Sequence, residues 1–114
     1  MPPSPVARLR SVCAKLPGAE ETTSFGHPAF RVGKKTFAVL DAYRGSACLC
    51  FKVAPSLQRM LVEDARYFAA PYGAKHGWTC LKLDARTPWR DAAALVRESW
   101  RLCAPKRLVR DEAF

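Results

Sequence analysis

Four short segments in which apolar and polar residues alternate, at about 20–25, 29–32, 36–41 and 47–53, constrain this chain more than any other feature. A period of two is that of a strand with one buried face, and turn residues between the segments make the run an antiparallel meander. Val32-Gly33-Lys34-Lys35 reads as a tight hairpin turn and Tyr43-Arg44-Gly45-Ser46 as the next reversal. In the fourth segment Ala47, Leu49, Phe51 and Val53 share one face, while Cys48, Cys50 and Lys52 share the other. A further segment, 78–83, repeats the pattern, with Thr79, Leu81 and Leu83 opposed to Trp78, Cys80 and Lys82. The residues before it, 70–77, hold a proline and two glycines, which exclude a helix and suit a shaped loop.

Helical periodicity fills the rest. Ser4-Pro5 reads as an N-cap followed by proline in the first helical position, and the helix runs to Leu16 before Pro17-Gly18 stops it. Its apolar stripe is Val6, Leu9, Cys13 and Leu16, and its other face carries Arg8, Arg10 and Lys15 without an acid. Pro55-Ser56 opens a second helix with Leu57, Met60, Leu61 and Ala65 at helical spacing, Met60 serving as core filler. Thr87-Pro88 caps a third, with Trp89, Ala92, Ala93, Val96, Trp100 and Cys103 as its stripe, and Pro105 ends it ahead of a basic tail. Helix, meander, helix, strand, helix is the order of an α+β two-layer sandwich, an antiparallel sheet of five or six strands with helices on one face. The opposite face is then left to water, displaying Lys52, Trp78 and Lys82 beside Cys48, Cys50 and Cys80 as an interaction face.

At 114 residues the chain suits one domain, 1–114, able to bury roughly 65% of its unfolded surface. Nineteen basic residues against ten acidic give a net charge of +9, which biases the chain toward polyanions. The apolar runs are too short to span a membrane, and Met1-Pro2-Pro3-Ser4-Pro5 lacks the charged head and apolar stretch of a signal peptide. A cytoplasmic monomer is expected.

Taken in order, Gly26-His27-Pro28-Ala29-Phe30-Arg31-Val32, Lys35-Thr36-Phe37-Ala38, Ala70-Pro71-Tyr72 with Lys75-His76-Gly77-Trp78, and Ala104-Pro105-Lys106-Arg107-Leu108 make the sequence resemble the MmcQ/YjbR family over nearly its whole length. The resemblance implies a fold like that of the frataxin/CyaY group and the family's usual description as a DNA-binding protein. Cys48, Cys50 and Cys80 belong to no motif of that family.

Site chemistry is weighed on the residues. Five cysteines, odd in number and dispersed without a CxxC pair, read as buried thiols in a reducing compartment. Cys48, Cys50 and Cys80 fall on one sheet face, yet a structural zinc site wants four ligands and none completes the set unless His27 or His76 approaches. The expectation is no metal, no cofactor and no disulfide. No nucleophile and base are paired in the sequence, so no catalysis is expected. Lys34 and Lys35 in the hairpin turn, Lys75 and His76 in the loop, and Lys106 and Arg107 in the tail stand on exposed punctuation, where phosphate contacts are made. No helix pair suited to reading base edges is present. The expected function is weak, largely sequence-independent DNA binding through those six residues, with a protein partner at the open sheet face as the alternative and an enzyme of unknown reaction ranked behind it.

Overall fold

The computed structural model describes residues 3–112. Met1 and Pro2, part of the stretch weighed as a signal peptide, lie outside them. Six strands form one antiparallel sheet in the order β1-β2-β3-β4-β6-β5: β1 (Ala19–Ser24), β2 (His27–Val32), β3 (Lys35–Tyr43), β4 (Ser46–Lys52), β5 (Tyr67–Ala69) and β6 (Trp78–Lys82). Four helices, α1 (Pro5–Cys13), α2 (Pro55–Leu61), α3 (Trp89–Cys103) and α4 (Lys106–Glu112), complete the α+β architecture.

Sequence patterning explains the main layer. Ser4 caps α1 by accepting the Ala7 N–H at 3.2 Å, and Leu9 and Cys13 face inward. Leu49, Phe51 and Leu81 from the central strands are buried with Leu9, Val96 and Trp100 from α1 and α3. Leu61 and Leu83, expected in the same core, are half-buried at its edge. The Trp100 indole N–H donates to the Pro17 carbonyl at 2.9 Å, tying α3 to the segment after α1. An exposed bidentate pair, Arg10 with Glu21 at 2.8 and 2.9 Å, joins α1 to β1.

One irregularity shapes the centre of the sheet. Pairing of β2 with β3 passes from Phe30 opposite Ala38 to Arg31 opposite Thr36, leaving Phe37 as the extra residue of a β-bulge. Phe37 and Ala38 consequently both enter the core. Paired residues of β3 and β4 begin only at Ala38 and Phe51, and the gap beyond them is closed from the helical layer. Buried Ser99 of α3 accepts the Lys52 N–H at 2.8 Å and donates to the Phe37 carbonyl at 2.6 Å. Its hydroxyl thus replaces a missing ladder bond, which explains a serine inside an otherwise apolar stripe.

Several local expectations are corrected. Helix α2 ends at Leu61, short of Ala65, and Met60 is 68% exposed, so it is no core filler. Thr87 does not cap α3: its hydroxyl accepts the Asp84 N–H at 2.8 Å, and Pro88 stands at the cap position. Beyond Pro105 the chain makes α4 where a basic tail was expected, its first turn closed by the Leu108 N–H onto the Pro105 carbonyl. Strand β5, only three residues long, is too short to show alternation.

The β1–β2 turn is strained. Phe25 (φ 50°) and Gly26 (φ 82°) both take positive φ, the requirement of a type I′ turn, and Phe25 is 100% exposed. A bulky side chain in that region costs about 1–2 kcal/mol, and no burial offsets it.

Three substitutions check this account by urea denaturation. Trp100→Ala is expected to lose about 3–5 kcal/mol through the cavity it leaves. Ser99→Ala is expected to lose about 1–3 kcal/mol, because it strands a buried N–H and a buried carbonyl. Phe25→Asn is expected to gain about 1 kcal/mol by relieving the turn. Unchanged midpoints would contradict the corresponding assignments.

Candidate nucleic-acid interface and thiol groove

Strand direction decides where the basic residues go. The β2–β3 turn carries Lys34 and Lys35, β4 ends at Lys52, and β6 starts directly after the 3-10 turn Ala74–His76 that holds Lys75 and His76. In an antiparallel sheet of this order, all three features lie at one end. Helix α3 delivers its C-terminus there, where the Cys103 thiol lies 3.9 Å from the Thr36 carbonyl. Burial raises that thiol against the opposing pull of Lys52 and Lys35, which places both ammonium groups in its field. Helix α4 starts three residues later with Lys106 and Arg107, and its Leu108 meets Gly18 beside Val32 at the end of β2. All six sequence-predicted residues are exposed, and three separate segments bring them to this end. Nearby Glu20 and Glu21 face Arg31 and Arg10.

The loop at this end is held by backbone geometry. Gly77 (φ 90°) presents its carbonyl to the Val53 N–H at 3.0 Å, and a methyl group on Gly77 would collide with the Val53 carbonyl. Gly73 lies so close to Trp78 that a side chain there would also collide. From α2, the Gln58 amide donates to the Ala74 and Trp78 carbonyls at 3.1 and 3.2 Å. Loop, helix and strand are therefore fastened together, and Lys75 and His76 project from a fixed turn.

The far face of the sheet departs from the expectation of a water-exposed surface. Cys48, Cys50 and Cys80 are only 2%, 8% and 3% exposed, because Val39, Phe68, Ala70 and Trp78 pack around them. Of the predicted interaction face, Lys82 is exposed, whereas Lys52 and Trp78 are half-buried. What remains open is a groove of about 430 Å³ containing the three thiols, with Phe25, Tyr43 and Tyr72 among its walls. Tyr72 is 98% exposed. The groove was not legible in the sequence, since it exists only because 70–77 folds back over the strand face.

Strand register brings the thiols together. Hydrogen bonds from the Leu83 N–H to the Ala47 carbonyl and from the Val53 N–H to the Gly77 carbonyl mark alternate residue pairs of β4 and β6. Cys50 opposite Cys80 falls between them as a non-hydrogen-bonded pair, the kind in which side chains stand closest. Their sulfurs are 2.9 Å apart, and Cys48 lies 3.9 Å from Cys50. Hydrogen bonding to Cys50, then to Cys80, holds the Cys48 thiol below the ordinary thiol range, while the same network raises Cys50 and Cys80. Cys13, by contrast, is pushed up to about 12 chiefly by burial. His27 approaches Asp41 at 3.2 Å on the neighbouring strands, and Asp41 pairs with Cys48 in register.

Among curated proteins, none matches the sequence. A crystal structure of the Deinococcus radiodurans protein DR2400, described as a DUF419 domain, superposes with a TM-score of 0.76 at 26% identity, covering 96% of this chain and 88% of that one. The YjbR family model matches residues 14–102, most of the chain and all six strands. The chain belongs to the YjbR family.

Proposed function

We propose that this protein binds DNA weakly and with little regard to sequence, through phosphate contacts from Lys34, Lys35, Lys75, His76, Lys106 and Arg107. The observation that carries the reading is their convergence, from three distant segments, on one end of the sheet in a chain of net charge +9. Cations held on short turns and a helix start meet phosphates without burying their charge, so affinity depends on counterion release. Neither strand edges nor α4 offers a pair of helices suited to the major groove, which favours backbone contacts over base reading. Binding and not catalysis is the role proposed. His76 stands exposed in its turn and His27 faces Asp41, so among the described residues neither histidine is hydrogen-bonded to a nucleophile.

A second reading, a protein-interaction module using the far sheet face, is favoured by one observation. Phe25 and Tyr72 are fully exposed on the walls of the apolar groove, and Phe25 is held there in a strained conformation.

The expected dissociation constant for duplex DNA is roughly 10⁻⁴ to 10⁻⁶ M at physiological salt. With about four phosphates neutralised, log K falls against log salt with a slope of about −3.6. Replacing Lys34 and Lys35 by glutamine flattens that slope by about 2, whereas replacing Arg44 and Arg90, in the β3–β4 turn and the first turn of α3, leaves most of it. Equal losses from both pairs would indicate a diffuse field without a site. Absence of binding at low salt to both single- and double-stranded DNA would remove the reading in favour of a protein partner.

A further inference from the structure

We propose that Cys48, Cys50 and Cys80 form a three-thiolate site for a soft monovalent cation of the copper(I) class. The three sulfurs lie within 4.8 Å of one another. One ion placed among sulfurs so spaced reaches all of them at about 2.3 Å, the length of a metal–thiolate bond. All three donors sit on the central paired strands β4 and β6, so their spacing is fixed by a hydrogen-bonded ladder and not by a loop.

The surroundings suit a soft ion. The groove gives an entry path to all three thiols, and Val39, Ala70 and Trp78, which pack against them and line it, keep the surroundings apolar. Among the described residues the polar contacts of these thiols are with one another, so no competing backbone bond must break before a ligand is accepted. Three thiolates around one monovalent ion leave two negative charges. In register, Lys82 is the cross-strand neighbour of Cys48 and Lys52 follows Cys50 on the same face, while Asp41 acts against them on Cys48 and Cys80.

Donor number selects the ion. Structural zinc closes a tetrahedron with four protein ligands, and here the carboxylate nearest in register, Asp41, faces His27. Thiolate donors are soft, and copper(I) is satisfied by three of them. No electron transfer is involved: the ion enters in the monovalent state, and each thiol that ligates releases its proton to solvent through the groove. Cys13 and Cys103, buried elsewhere in the core, take no part.

Anaerobic titration of the reduced full-length protein with copper(I), supplied as its acetonitrile complex in competition with a chromogenic chelator, tests the assignment. One equivalent is expected to bind with a thiolate-to-copper charge-transfer band in the ultraviolet. X-ray absorption should give three sulfur neighbours at about 2.3 Å. Cys48→Ser, Cys50→Ser and Cys80→Ser should each weaken binding by at least about 100-fold, the upper end of what losing an outer-shell partner costs a metal site. Cys13→Ser and Cys103→Ser should leave it intact, and circular dichroism checks that every variant is folded. No uptake by the folded wild type, uptake unaffected in Cys48→Ser or Cys80→Ser, or zinc(II) retained in preference from an equimolar mixture would overturn the proposal.

Discussion

Pairing of β4 with β6 in a single register governs most of what this molecule presents. With Cys50 opposite Cys80, the odd-numbered residues of both strands turn toward the helices and the even-numbered ones toward the groove. A slip of β6 by one residue would turn Leu81 toward the groove and Cys80 into the core, parting it from Cys48 and Cys50. Two backbone bonds pin the register at its ends, Leu83 N–H to Ala47 and Val53 N–H to Gly77. The second depends on glycine, because only a residue without a side chain fits against the Val53 carbonyl at φ 90°. The same bond fixes where the Ala74–His76 turn emerges. Core, groove and basic end are thus consequences of one alignment.

The two candidate surfaces are physically different and meet at Lys52 and Trp78. One is polar and formed by turns and a helix start, where charge costs little to expose. The other is apolar, lies on the strand face, and keeps three ionisable thiols from water. Its walls include a strained and exposed Phe25, which gives up stability without a packing return inside the chain. Charge and apolar surface are thus separated on the molecule.

Much of the architecture was legible because its signals are local. Alternation in 47–53 and 78–83 identified the central strands and their core faces, and Ser4-Pro5 marked the start of α1. Elements that depend on tertiary contact were not. Phe37 enters the core through a bulge that no spacing announces, and Ser99 gains its purpose only from the gap that bulge leaves. Helix α4 was hidden because proline reads equally as an end and as a start, and its Leu108 is anchored against residues far away in sequence. Alternation places Cys48, Cys50 and Cys80 on one face, but their burial comes from Val39, Phe68, Ala70 and Trp78 packing around them, which composition cannot reveal. The basic residues could be named from their turns, whereas their common end follows from strand order.

Isotope-resolved NMR of the folded protein titrated with a short DNA duplex at low salt locates the interface most directly. The account predicts amide shifts concentrated at residues 33–35, 74–77 and 106–108, fading as salt is added, with the turn at Phe25 and Gly26 and the start of α3 unmoved. Shifts centred on the groove walls, or spread evenly over every lysine and arginine, would contradict it.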